Sequence, residues 1–147
     1  MQTPTFNILL AEDDEDDCLF FKEALEELPI HFQLFIVHNG NQLMQWLKNT
    51  EEVPDVLFLD LNMPQKNGFE CLDEIKRIKT LEQLPVIIFS TSLDKEIAIL
   101  LHKNGAHYYI RKPSEFSQLK SVIHNALLMI GKSNSEKPTI EKFIIAF

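Results

Sequence analysis

Apolar residues along this chain fall into two alternating patterns. Short, mainly apolar runs at Phe6–Ala11, Phe32–Val37, Asp55–Leu59, Val86–Phe89 and His107–Ile110 predict strands. Between them, apolar positions recur at three- and four-residue spacing, which predicts helices. Glu15–Leu28 places Cys18, Phe21, Leu25 and Leu28 on one face before Pro29 stops it. Asn41–Lys48, entered through Asn39-Gly40, aligns Leu43, Trp46 and Leu47, and Phe69–Ile78 aligns Leu72, Ile75 and Ile78. Lys95–Lys103 closes on the break at Asn104-Gly105, and Glu115–Ile130 is the last helix.

Strand and helix therefore alternate five times. Apolar runs without polar alternation belong to strands covered on both faces, and short loops between strand and helix require right-handed crossovers in a parallel sheet. The expectation is an α/β fold in three layers, with a five-stranded parallel sheet and five helices. Strand order does not follow from the pattern, but 2-1-3-4-5 is the common solution for five such units and sets strands 1 and 3 side by side.

Residues 1-131 are expected to form one domain. Beyond Gly131 the chain turns polar (Lys-Ser-Asn-Ser-Glu-Lys-Pro) and closes on Phe143-Ile144-Ile145-Ala146-Phe147, so 132-147 reads as a linker and apolar tail. That tail could dock on the domain, extend a dimer contact, enter a partner's groove or fray. It is too short for a second domain, so no attached output domain is expected. Ile97, Leu100, Leu101, Leu119, Val122 and Ile123 are expected to supply core more than interface.

Composition narrows the function. A chain of 147 residues that is 45% hydrophobic has one domain's core. Its net charge of −8 disfavours a nucleic-acid partner. No apolar stretch approaches the roughly 20 residues that cross a bilayer, and the N-terminus lacks a signal-peptide pattern, so a cytoplasmic protein with no membrane partner is expected. Cys18 and Cys71 lie in separate helical segments without metal-ligand spacing and read as buried thiols.

The chemistry lies where the runs end. Glu12-Asp13-Asp14, Asp60, Ser90 and Arg111-Lys112 each follow a predicted strand, and ligands of open α/β sheets bind beyond the carboxyl ends of the strands. Carboxylates about 4 Å apart repel by roughly 4 kcal/mol at an effective dielectric of 20, so Glu12, Asp13 and Asp60 together need a cation or a proton. Mg²⁺ suits this small all-oxygen set. Each member alone has a plainer reading: an acidic helix start, a turn Asp, a Ser cap, a surface Lys. Asp14 through Asp17 are expected to be helix-start and surface residues. Together, however, a carboxylate nucleophile, a divalent ion, a hydroxyl and an ammonium are what attack on phosphorus requires.

From roughly Phe6 to Ile130 the chain resembles the receiver domain of the response regulators of two-component signalling. The resemblance rests on Glu12-Asp13, Asp60 with Met63-Pro64 and Gly68, Ser90, and Lys112-Pro113. It implies a flavodoxin-like, doubly wound fold, with Asp60 as phosphoacceptor and Glu12, Asp13, Asp60 and the Asn62 carbonyl around Mg²⁺. Ser90 matches the switch hydroxyl, Lys112 the phosphate-binding lysine and Tyr109 an aromatic switch that turns inward on phosphorylation. The Lys112-Pro113 bond is expected to be cis, and Asn62 and Ser92 would tune hydrolysis. Glu12 stands where many members have Asp, and Ser90 where Thr is commoner.

The resemblance further implies a stand-alone signalling protein and not a turnover enzyme. Its partners would be a histidine kinase or histidine phosphotransfer protein and a downstream protein target, with homodimerisation through the face of helix 4, strand 5 and helix 5. The alternative is a haloacid-dehalogenase-like phosphohydrolase, which also uses Asp, Ser or Thr, Lys and Mg²⁺. Against it stands Asn62, which cannot shuttle a proton where that enzyme needs an acid/base Asp. A flavin module of the same fold is disfavoured because Glu12-Asp13-Asp14 would repel the cofactor's phosphate.

Overall fold

The computed structural model describes residues 5–133 and 138–145. Strands β1 (Thr5–Ala11), β2 (His31–Val37), β3 (Val56–Leu59), β4 (Val86–Ser90) and β5 (Tyr108–Arg111) alternate with helices α1 (Glu15–Glu26), α2 (Gly40–Asn49), α3 (Gly68–Arg77), α4 (Lys95–Lys103) and α5 (Phe116–Ser133). A short helix α6 (Ile140–Phe143) and a strand β6 (Ile144–Ile145) follow. All pairings are parallel, in the order β2-β1-β3-β4-β5-β6. The fold is flavodoxin-like, and the expected order 2-1-3-4-5 holds within it.

Successive strand residues face opposite layers, as the two-residue period of a strand demands. Leu9 and Ala11 of β1, Leu57 and Leu59 of β3, and Ile88 of β4 pack with Leu43 and Leu47 of α2, Cys71, Leu72 and Ile75 of α3, and Leu101 of α4. Ile8, Leu10, Phe58, Ile87 and Phe89 face the other way, onto Phe21 and Leu25 of α1 and Val122, Ile123 and Leu127 of α5. Phe21, Phe58 and Phe89 meet edge to face at centroid distances of 4.9, 5.7 and 6.2 Å. Side-chain caps from Asp14, Asn39, Asn67 and Asp94 start α1 to α4, with a reciprocal capping box between Asn67 and Glu70. Gly105, at φ +102°, supplies the left-handed turn from α4 into β5.

Four expectations are corrected. The sheet has six strands, because the C-terminal segment docks: Ile144 and Ile145 pair with Tyr109 and Ile110, and Phe143 is fully buried. Ala146 and Phe147 of the predicted tail, and the linker residues 134–137, lie outside the described residues. Helix α5 continues through Gly131 to Ser133 instead of ending at Ile130, since one glycine costs a helix only about 1 kcal/mol. Leu100 is 55% exposed and contributes no core, while Ile97 is partly buried and Leu101, Leu119, Val122 and Ile123 are buried. The Lys112-Pro113 bond is trans, as no cis peptide occurs among the described residues.

The two cysteines are free and buried, as expected. No described helix is long and apolar enough to cross a membrane.

Candidate functional site

The register of β1 and β3 brings the acidic residues together. Ala11 is opposite Leu59, so Glu12 and Asp60 emerge from adjacent strands at the same height. Asp60 N donates to Ala11 O at 3.0 Å, and Glu12 N to Val37 O at 2.9 Å. The Glu12 carbonyl accepts from Cys18 Sγ at 3.5 Å and lies 3.1 Å from His38 Nδ1, which fixes the backbone from α1 and from the end of β2.

One carboxylate oxygen from each of Glu12, Asp13 and Asp60 lies within 4.8 Å of the others. Asp13 is exposed, while Glu12 and Asp60 are 1% and 6% exposed. Burial pushes the Glu12 carboxyl up to about 8, with Lys112 pulling it down only in part. Burial also raises Asp60, against the lowering effects of Lys112, Glu12 and the Asn62 N–H. Charges at this spacing repel by about 3 kcal/mol per pair at an effective dielectric of 20. The set is all oxygen, crowded and short of positive charge, which fits a hard divalent cation.

The loop after β3 holds Asp60 in place. Asn62 N donates to Asp60 Oδ1 at 3.3 Å. Gly68 N donates to Leu61 O at 3.0 Å, and a Cβ on Gly68 would lie 2.6 Å from the Asp60 carbonyl oxygen. The loop therefore folds back onto Asp60 only where residue 68 has no side chain. Gln65 adopts φ 67° in the same loop, an uncommon conformation for a residue with a side chain, and its Oε1 accepts from Asn41 Nδ2 at 3.1 Å.

Lys112 reaches the site from the end of β5, where its backbone N donates to Ser90 O at 2.7 Å. Its ammonium is 10% exposed on its side chain, bonds Glu12 Oε1 and lies 3.0 Å from Asp17 Oδ2, with the Phe89 ring centroid 5.5 Å away. Burial disfavours the Lys112 charge, but Glu12, Asp60 and Asp17 outweigh it and hold its pKa above the ordinary lysine value. Asp17 is the residue that sequence reasoning missed: read as a surface residue of the helix start, it pairs with the site lysine.

Ser90 is fully buried, and its Oγ accepts from Ser92 N at 3.4 Å. Tyr109 stands beside it, its hydroxyl donating to Ser92 O at 2.6 Å, with its ring buried. Burial raises the Tyr109 hydroxyl pKa, and a hydrogen bond with Ser90 partly offsets that. Tyr109 is thus buried with its hydroxyl held by the loop after β4, and the ring of Phe143 in the docked C-terminal segment lies edge to face at 6.4 Å from its own. Asp60, Asp13, Glu12, Ser90 and Lys112 all sit at the carboxyl edge of the sheet.

This edge gathers carboxylates, a hydroxyl and an ammonium, and comparison with known proteins gives the family directly. Residues 8–124 match the model of the response regulator receiver domain, so the chain belongs to that family and signals by phosphorylation. It is 31% identical over 121 residues to the response regulator Rcp1 of Synechocystis sp., covering 79% of this chain and 82% of that protein. The phosphorylated cyanobacterial phytochrome response regulator RcpA superposes with a TM-score of 0.81 at 29% identity, over 88% of this chain and 96% of that one. The Mn²⁺-bound form of Rcp1 gives a TM-score of 0.75 at 27% identity, over 91% and 99%. The haloacid-dehalogenase alternative finds no support: Asp60 follows β3 and not β1, and Asn62 stands two residues on.

Proposed function

We propose that Asp60 accepts a phosphoryl group from a phosphohistidine of a histidine kinase or phosphotransfer protein. An Asp60 carboxylate oxygen bonds to phosphorus as the bond from phosphorus to the histidine nitrogen breaks, and the imidazole departs with that electron pair. Ser90 Oγ–H and Lys112 Nζ then donate to the phosphoryl oxygens. The observation that carries this reading is the nearly buried Asp60 carboxylate within 4.8 Å of two further carboxylates, at the edge that also holds Ser90 and Lys112.

Glu12, Asp13 and Asp60, with the Asn62 carbonyl, would hold Mg²⁺, which when bound neutralises charge on the transferring oxygens. The acidic cluster supports this, as does the Mn²⁺-bound form of the relative Rcp1. The phosphorylated form of RcpA supports phosphoryl acceptance.

The protein acts as a cytoplasmic signalling receiver, not a turnover enzyme, and its output is binding to a downstream protein. The Ser90–Tyr109 contact carries the signal towards α4, β5 and α5. A homodimer through that face must use the outer surface of the C-terminal segment, since β6 occupies the edge of β5.

Incubation with phosphoramidate and Mg²⁺ tests the acceptor. The wild-type chain gains the mass of one phosphoryl group and Asp60→Asn gains none. Equal labelling of the two chains refutes the assignment.

A further inference from the structure

The position of Lys112 points to a control on phosphoryl acceptance that the proposed mechanism does not contain. Among the described residues its ammonium makes ion pairs with Glu12 and Asp17, and none with Asp60. An ammonium has three N–H donors, and two are committed. Glu12 belongs to the carboxylate cluster with Asp60, so a lysine bonded to Glu12 is already directed at the acceptor. Asp17 is different. It lies in the first turn of α1, outside that cluster, and pulls the ammonium towards the helix.

Asp17 acts on the phosphoryl group in two ways of the same sign. It occupies a donor that the phosphoryl oxygens need, and it adds a negative charge beside a site that must accept more. Its side chain is 34% exposed, against 1% for Glu12, so water weakens its hold and leaves the lysine recoverable. Its backbone N–H, which donates to Asp14 Oδ1 at 3.0 Å as part of the helix cap, is independent of its carboxylate.

We propose that Asp17 is a positioning residue that holds Lys112 back from Asp60 and so limits how readily the site takes up and retains a phosphoryl group. The inference rests on Asp60 being the acceptor. It assigns to this chain a brake that the acceptor, metal-ligand, hydroxyl and lysine positions do not include.

The test compares wild type, Asp17→Asn and Asp17→Glu in Mg²⁺ by calorimetric titration with beryllofluoride, a non-covalent tetrahedral mimic of the phosphoryl group. A second readout is the initial rate of labelling by acetyl phosphate, in which Asp60 oxygen bonds to phosphorus as acetate leaves. Removing a partly exposed ion pair predicts about threefold to fivefold tighter beryllofluoride binding by Asp17→Asn, with faster labelling. Asp17→Glu, which keeps the charge, stays within about twofold of wild type. Added salt narrows the gap between wild type and Asp17→Asn. A wild type that binds beside an Asp17→Asn chain that binds no tighter overturns the role of Asp17 alone. A wild type that neither binds beryllofluoride nor takes up a phosphoryl group overturns the acceptor reading itself.

Discussion

Phe143→Ala tests how the C-terminal segment is held. The ring is fully buried, meets His102 and Tyr109 edge to face at 5.1 and 6.4 Å, and precedes the two residues that pair with β5. A buried Phe→Ala change costs about 3–5 kcal/mol where the surrounding structure must keep the cavity. This segment need not keep it. Residues 138–145 form the last described segment, and ordering each of them costs about 1 kcal/mol or more, which the burial of Phe143 and Ile145 must offset. The net docking energy is therefore a few kcal/mol at most, comparable with the contribution of the one ring. Phe143→Ala should release the segment instead of leaving a void, and its cost is capped at the docking energy.

Urea unfolding should show Phe143→Ala destabilised by about 1–3 kcal/mol, matching a chain truncated before Pro138. Amide exchange at Ile144 and Ile145 should lose protection in Phe143→Ala while β1 and β3 keep theirs. Two results refute the reasoning. A loss well beyond that of the truncated chain would make Phe143 part of the global core, and retained protection at Ile145 would show that the ring does not hold the segment.

The raised pKa values of Glu12, to about 8, and of Asp60 require that a divalent cation displace protons. Calorimetry should find Mg²⁺ affinity rising between about pH 6 and about pH 8.5, by up to about tenfold per pH unit for each proton released, and a flat profile contradicts the burial argument. The same shift makes the metal-free fold less stable with rising pH: the contribution of protonated Glu12 is fully present below its ordinary 4.5 and lost as pH rises through about 8, which urea midpoints across that range would show. Gly68→Ala puts a Cβ 2.6 Å from the Asp60 carbonyl, so it should destabilise the fold by about 1–3 kcal/mol and slow phosphoryl acceptance. An unchanged melting temperature and labelling rate would show that the loop gives way without moving Asp60.

The four central strands were legible because each lies between two helical layers. Val56–Leu59 and Val86–Ser90 are buried throughout, so their runs carry no polar interruption and their ends mark the sheet edge where Asp60 and Ser90 stand. Strand β2 stands at the edge where the expected order 2-1-3-4-5 put it, and its alternation of exposed and half-buried positions is an edge strand's signature. Strand β6 could not be read as a strand at all. Its two residues have no periodicity, and their conformation depends on the free edge of β5, a tertiary fact.

Asp17 was hidden for a related reason. Within Glu15, Asp16 and Asp17 every carboxylate has the same local explanation, a favourable helix start, and local sequence assigns them no further difference. What separates Asp17 is a lysine 95 residues away, brought alongside because β5 and α1 share one end of the sheet. Local pattern thus fixes which residues end strands, and those residues are the proposed acceptor, Asp60, with Ser90 and Lys112. Residues that act on them from a helix face become visible only when the layers close, and a mispaired lysine would leave Asp17 no role beyond the first turn of α1.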